Sequence, residues 1–175
     1  QGSEGGTGVC LLENQNVRAV NLNNAQNNTD NTTFQFTCPE NTFQQVNGAF
    51  SPINDAFFFG NLAFDMYQNW FEESVLAVQL SMKVHYGLNH QAAFLDGQSV
   101  TFGDGNDDYY PLTDVNIAIH EISHGYTEDN SKLISQGESG AINESFSDIA
   151  GEVAEFYWKG QVDWSVGADI LKNAN

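Results

Sequence analysis

The chain opens with short runs in which apolar and polar residues alternate, and only later shows apolar stripes at helical spacing. Residues 17–22 (Val-Arg-Ala-Val-Asn-Leu) and 33–37 (Thr-Phe-Gln-Phe-Thr) predict short antiparallel strands with one wet face. The Asn-rich stretch between them, residues 21–31, reads as a polar connection. Ser51 followed by Pro52 is a helix start, a capping residue before a proline whose fixed φ suits the first turn. Over residues 53–71, Phe57, Leu62, Phe64, Tyr67 and Phe71 form a loose helical stripe suited to core packing. Residues 79–86 alternate again and place Leu80, Met82, Val84 and Tyr86 on one face of a strand. Residues 99–102 predict another strand, ending in the turn Gly103-Asp104-Gly105. Thr113 or Asp114 caps a further helix, and a last helix runs over about residues 138–157. Strands first and helices later predict an α+β fold, antiparallel and β-rich in its N-terminal part.

Composition narrows the partners. Apolar residues make up 41% of the 175, enough for a core, and no run of about 18 apolar residues suggests a membrane span. Only Arg18, Lys83, Lys132, Lys159 and Lys172 are basic against 23 acids, for a net charge of -18. That balance argues against nucleic acid or an anionic membrane as partner, since both need basic patches. It fits a highly soluble extracellular protein, or one that binds cations such as calcium, although most acids simply solvate a surface. The N-terminus, Gln1-Gly2-Ser3-Glu4-Gly5-Gly6, is polar and carries no secretion signal, so a mature or trimmed product is expected. Cys10 and Cys38 stand too far apart for a zinc pair. Their spacing allows a disulfide, which implies an oxidising compartment, or two free buried thiols.

The candidate chemistry lies in the two late helices. In His120-Glu121-Ile122-Ser123-His124 the histidines are four apart, one above the other on a helix face. Two neutral imidazoles and a carboxylate from a second helix, Glu144, can hold one zinc ion and leave a position open for water. Glu121, beside the first histidine, is placed as general base, taking a proton from water that attacks a carbonyl. His85 and His90 lack ligand spacing and read as structural or exposed.

The segments His120-Glu-Ile-Ser-His124-Gly-Tyr-Thr-Glu128 and Glu138-Ser-Gly-Ala-Ile-Asn-Glu144-Ser-Phe-Ser-Asp148 closely resemble the thermolysin family of secreted bacterial zinc metalloendopeptidases. The stretch 38–60, Met82-Lys-Val-His-Tyr-Gly and Phe102-Gly-Asp-Gly are similar to its pseudolysin and vibriolysin branch. The resemblance implies zinc ligands His120, His124 and Glu144, with Glu121 as base. It assigns Asp148 to the outer nitrogen of His120 and Asn143 to His124, fixing tautomer and ring orientation. It implies calcium near the helix pair, held by Glu152, Glu155, Asp163 and the Ser165 carbonyl. Asn116 stands where the branch has aspartate, one charge fewer; the alternative is that these acids only form a wet face. With a secreted family, a Cys10–Cys38 disulfide is expected. So are a β-rich N-terminal domain over residues 1–112 with one long helix, and zinc-site helices over 113–175 that begin a helical C-terminal domain. The expected partners are protein or peptide substrates and the remaining C-terminal part of the same enzyme.

Three departures bear on activity. The substrate-binding edge, Asn-Ala-aromatic-Trp in the family, is Ala92-Ala93-Phe94-Leu95 here, with Gln91 the nearest amide. Ser135 stands at the position of the family's tyrosine, an oxyanion donor, and its hydroxyl is several ångströms shorter in reach. The family's histidine donor and most of its helical domain fall beyond residue 175, so an incomplete and poorly active chain is expected. A non-catalytic zinc- and calcium-binding relative is the competing reading. A domain binding only calcium leaves the two histidines and Glu144 unexplained.

Overall fold

The computed structural model describes residues 8–43 and 51–172; residues 44–50 of the family-like stretch 38–60 lie outside them. A small antiparallel pair, β1 (Val9–Leu11) with β3 (Gln35–Thr37), flanks a four-stranded sheet. The sheet contains β2 (Val17–Asn21), β4 (Leu80–Tyr86), β5 (Ala93–Asp96) and β6 (Ser99–Gly103), in the order β2-β4-β6-β5. A disulfide joins Cys10 to Cys38 and ties the small pair together.

The sheet corrects two expectations. Segment 17–22 was expected to be antiparallel with a wet face, but β2 runs parallel to β4, Val17 opposite Leu80, and none of its residues is exposed. β4 likewise buries Ser81, Lys83 and His85 along with Leu80, Met82 and Val84. The physical reason is coverage of both faces, the usual state of parallel strands. Lys83 donates from Nζ to the carbonyl of Asn28, so the 22–34 connection lies over one face. β4 and β6 are also parallel, and β5 closes the sheet antiparallel to β6 as an edge strand. Tyr86 leaves the expected face because the β4–β6 register shifts between Lys83 and Tyr86, where His85 takes φ 62°.

Helix α1 (Pro52–Phe71) begins at the Ser51-Pro52 signal and crosses the sheet. Gly60 is required at that crossing: a Cβ there would stand 2.9 Å from Val17 Cγ1. Ile53, Ala56, Ala63 and Met66 of α1 share one core with Val17, Leu80, Met82, Val100 and Phe102 of the sheet. Two more α-helices follow, α2 (Val115–Asn130) and α3 (Gly137–Lys159), and then a short 3-10 turn, Ala168–Ile170. Asp114 caps α2 by accepting from the Asn116 backbone N–H at 2.9 Å. Val115, Ala118, Ile119 and Ile122 turn its apolar stripe into the same core, and Ala150 and Ala154 do so for α3. This leaves the other face of α2, with both histidines, turned to α3 and a cleft. Among the described residues no helix is long and apolar enough to cross a membrane.

Candidate metal centre

Two helices bring the predicted ligands together because α3 crosses α2 at very short range. A Cβ on Gly151 would lie 2.9 Å from the Asn116 carbonyl oxygen, so only glycine permits this approach without displacement. Nε2 of His120 and Nε2 of His124 are 3.0 Å apart. Glu144 Oε2 reaches to 3.3 Å from His120 Nε2 and 3.7 Å from His124 Nε2. Among the described residues this is the one group of three His, Cys, Asp or Glu residues whose ligand atoms lie within 4.8 Å of one another.

The triangle fits zinc. Tetrahedral ligands about 2.05 Å from a metal stand about 3.3 Å from each other, the middle of the three separations given above. Both outer nitrogens are held elsewhere, which leaves the Nε2 lone pairs for a cation. His120 Nδ1 donates to Asp148 Oδ1 at 2.8 Å. His124 Nδ1 lies 3.1 Å from Asn143 Oδ1 and 3.2 Å from Ser147 Oγ. Thr127 Oγ1, 2.7 Å from Asn143 Oδ1, steadies that amide in turn. Sequence reasoning missed Ser147 and Thr127. The signal was present: Ser147 stands four residues after Asn143 and Thr127 three after His124, each on the ligand face.

Glu121 is half-buried beside the triangle, and burial raises its proton affinity. His120, His124 and the Leu95 backbone N–H pull the other way, Glu144 adds to the rise, and the carboxyl remains above its ordinary value. It faces a cleft of about 810 Å³ whose walls are Phe94 and Leu95 of β5 on one side and Leu133, Ile134 and Ser135 on the other. A second hollow of about 210 Å³, lined by Asn116, His120, Glu121 and Asp148, lies toward the start of α2. Of the expected substrate edge, Ala93 and Phe94 lie on β5 and Ala92 immediately precedes it. Segment 93–96 was not foreseen as a strand.

The expected calcium residues are only partly gathered. Glu152 and Glu155 are buried, and Glu152 Oε2 has no hydrogen-bond partner. Burial, with Glu155 and Asp163 nearby, raises the proton affinity of Glu152. Asn116 turns its amide N–H, rather than its oxygen, to Glu152 Oε1 at 3.0 Å. One Glu155 oxygen accepts from Lys159 at 3.0 Å and the other from the Asp163 backbone at 3.3 Å. The Ser165 backbone N–H donates to Asp163 Oδ1 at 2.8 Å. His85 is buried, its Nδ1 2.5 Å from Asp104 Oδ1, and His90 packs edge-on against Tyr86; neither joins the centre.

Comparison with known proteins bears on this geometry. A family model described as the thermolysin metallopeptidase catalytic domain matches residues 3–128, and one described as its alpha-helical domain matches residues 131–175. The neutral protease of Vibrio proteolyticus is 52% identical over 169 residues, 94% of this chain and 27% of that protein. The hemagglutinin/proteinase of Vibrio cholerae is 52% identical over 170 residues, 95% of this chain and 28% of that protein. The chain thus spans little more than a quarter of the length of these relatives. The solved precursor of protealysin, a metalloproteinase from Serratia proteamaculans, shares the fold, with a TM-score of 0.75 over 98% of this chain and 52% of that chain at 23% identity. With its ligand triangle on two crossing helices and both family models matched in order, this chain belongs to the thermolysin metallopeptidase family, in its vibriolysin branch.

Proposed function

We propose that the chain carries the catalytic centre of a secreted, zinc-dependent endopeptidase. The observation that supports this most is the convergence of His120 Nε2, His124 Nε2 and Glu144 Oε2, with Glu121 beside them in an open cleft. Zinc, when bound, supplies Lewis-acid polarisation of the peptide carbonyl and makes a water more acidic. Glu121 takes the proton of the attacking water and passes it to the leaving amine. Its raised proton affinity suits that exchange. Asp148 and Asn143 position the two imidazoles and keep their Nε2 atoms unprotonated. The free edge of β5, with Ala92, Ala93 and Phe94, offers unpaired backbone groups to an extended peptide. Residues 1–112 act as the β-rich wall of the cleft, and 113–175 supply the metal-holding helices. Further helical chain of the same enzyme completes the opposite wall.

A calcium ion held by Glu152, Glu155, Asp163 and the Ser165 carbonyl is the second metal of this reading. The unpartnered Glu152 oxygen supports it; the Asn116 amide would have to turn over to coordinate. The test is metal analysis of the folded protein with a peptide-cleavage assay, using Glu121→Gln as control. Absence of zinc, or cleavage unaffected by Glu121→Gln, would sink the proposal. Ala92, Leu95 and Ser135 favour a second reading, a zinc-binding relative without turnover. Stoichiometric zinc with no Glu121-dependent cleavage would select it.

A further inference from the structure

The 810 Å³ cleft is lined by three carboxylates, Glu121, Glu128 and Glu144, and by one cation, Lys132. In a chain of net charge -18 with five basic residues, that placement is uncommon. No carboxylate lies within ion-pair distance of Lys132 among the described residues, although Glu128 stands four positions before it. The backbone there makes a lysine costly. Lys132 follows the end of α2 with φ 53°, its N–H bonded to the Thr127 carbonyl at 2.8 Å. That is the left-handed position at which helices end on glycine or asparagine, because a Cβ is strained there. A favourable charge at the C-terminal end of the helix dipole offsets part of the strain, and among the described residues no ion pair offsets the rest.

We propose that Lys132 is a specificity-determining residue of the cleft, its ammonium pairing with a substrate carboxylate two to four residues from the scissile bond. The inference rests on the peptidase reading and names a substrate class for it, peptides with an acidic residue on the α3-connection side. The distance follows from the helix. Helix α2 ends at Asn130 and carries six of the eight steps from His124 to Lys132, about 9 Å at 1.5 Å per residue, and the turn beyond adds a few ångströms, for roughly 12 Å. An extended peptide covers about 3.3 Å per residue, so 12 Å is three to four residues, and the lysine stem shortens this by about one. Phe94, Leu95, Leu133 and Ile134 give the same cleft apolar surface alongside its carboxylates. Lys132 is thus the one cationic side chain of Lys or Arg type on a wall whose other charged groups are carboxylates. Without Lys132, Glu128 would repel an acidic substrate there.

The test uses the complete, zinc-loaded protein and quenched fluorescent peptides identical except for Glu or Gln three residues from the scissile bond, on either side. Wild type should cleave the Glu peptide of one side about two- to fivefold better in kcat/KM, the range of an exposed ion pair, a ratio that shrinks in high salt. Lys132→Gln should bring the ratio to about one, and Lys132→Glu should invert it. Fluorescence anisotropy of the same peptides on zinc-loaded Glu121→Gln protein, with and without Lys132→Gln, should repeat the ratios without turnover. Lys132→Gly should melt no lower than wild type, since glycine is at ease at that φ. A Glu-to-Gln ratio unchanged by Lys132→Gln, with Glu121-dependent cleavage intact, would overturn the inference and leave the peptidase standing. A Lys132→Gly protein that melts well below wild type would mark a structural lysine and overturn it equally. No Glu121-dependent cleavage of any peptide would overturn the peptidase reading, and this inference with it.

Discussion

His124 has two acceptors on its outer nitrogen where His120 has one, and that difference sets the size of a measurable effect. Asn143 Oδ1 at 3.1 Å and Ser147 Oγ at 3.2 Å share the Nδ1–H. Removing a group that orients a ligand histidine costs about 10- to 100-fold in metal affinity. Asn143→Ala leaves Ser147 in place, so the loss should fall at the low end, about tenfold. Ser147→Ala removes the longer, neutral contact and should cost about threefold, the lower part of a hydrogen bond's net worth. The double variant leaves Nδ1–H with no protein acceptor and the ring free to turn. Its loss should exceed the roughly 30-fold product of the two singles and reach 100-fold or more, about 2.7 kcal/mol. Zinc competition against a chromophoric chelator at fixed pH measures all three. Asn143 is also buried and accepts from Thr127 at 2.7 Å, so the metal-free Asn143→Ala protein should lose about 1 kcal/mol of stability as well. A double variant no worse than Asn143→Ala alone would refute the shared-acceptor argument. So would an Asn143→Ala protein with unchanged zinc affinity.

Reduction of Cys10–Cys38, or Cys10→Ser with Cys38→Ser, should lower stability by about 3–4 kcal/mol, read by urea denaturation, since the bridge closes a separation of 28 residues. Saturating calcium at about 100-fold over its dissociation constant should stabilise the zinc-loaded protein by about 2.7 kcal/mol, and Asp163→Asn should abolish most of the gain; equal melting temperatures with and without calcium count against the site. Asp55, in the first turn of α1, is pushed up to about 6 by burial, against an opposing hydrogen bond from Ser51. A folded value above the unfolded one contributes stability below about pH 4 that is lost as pH rises through about 6. Asp55→Asn should therefore match wild type near pH 4 and be about 2 kcal/mol more stable at pH 8, after allowance for the helix-dipole attraction it gives up. Equal stability at pH 8, by urea denaturation of the metal-free proteins, would show that the carboxylate is not desolvated.

The meeting of His120 and His124 was legible in the sequence because helical geometry decides it: residues four apart share a face wherever that helix lies. Helix α1 was legible for a similar reason, Ser51-Pro52 being a local signal that needs no partner. Strand pairing is not local. Alternation in 17–22 reports that a strand exists, yet nothing in it says that its neighbour is β4, some 60 residues on and parallel. The burial of Lys83 and His85 was not legible, because their cover is a loop whose backbone carbonyl meets the ammonium and a carboxylate, Asp104, that meets the imidazole. Strand β5 was missed because Ala-Phe-Leu-Asp carries no alternation, and its status as an edge follows only from the order of the whole sheet.

What the sequence left unsaid is how near the two helices come, and the centre depends on that distance. A metal triangle tolerates errors of a few tenths of an ångström, whereas helix axes range over 8–10 Å according to the side chains between them. Gly151 against the Asn116 backbone sets the lower limit of that range at one point of the crossing. Glu144 stands seven residues earlier on α3, almost two turns, and therefore on the same face as Gly151. The close approach is thereby carried along the helix to Glu144, the third member of the candidate centre. The same contact lies beside Glu152, whose partner is the Asn116 amide at 3.0 Å. One glycine therefore fixes the spacing of both metal-binding groups proposed for this chain. Widening the crossing there should weaken zinc binding through Glu144 and disturb the acidic group at Glu152 in a single step.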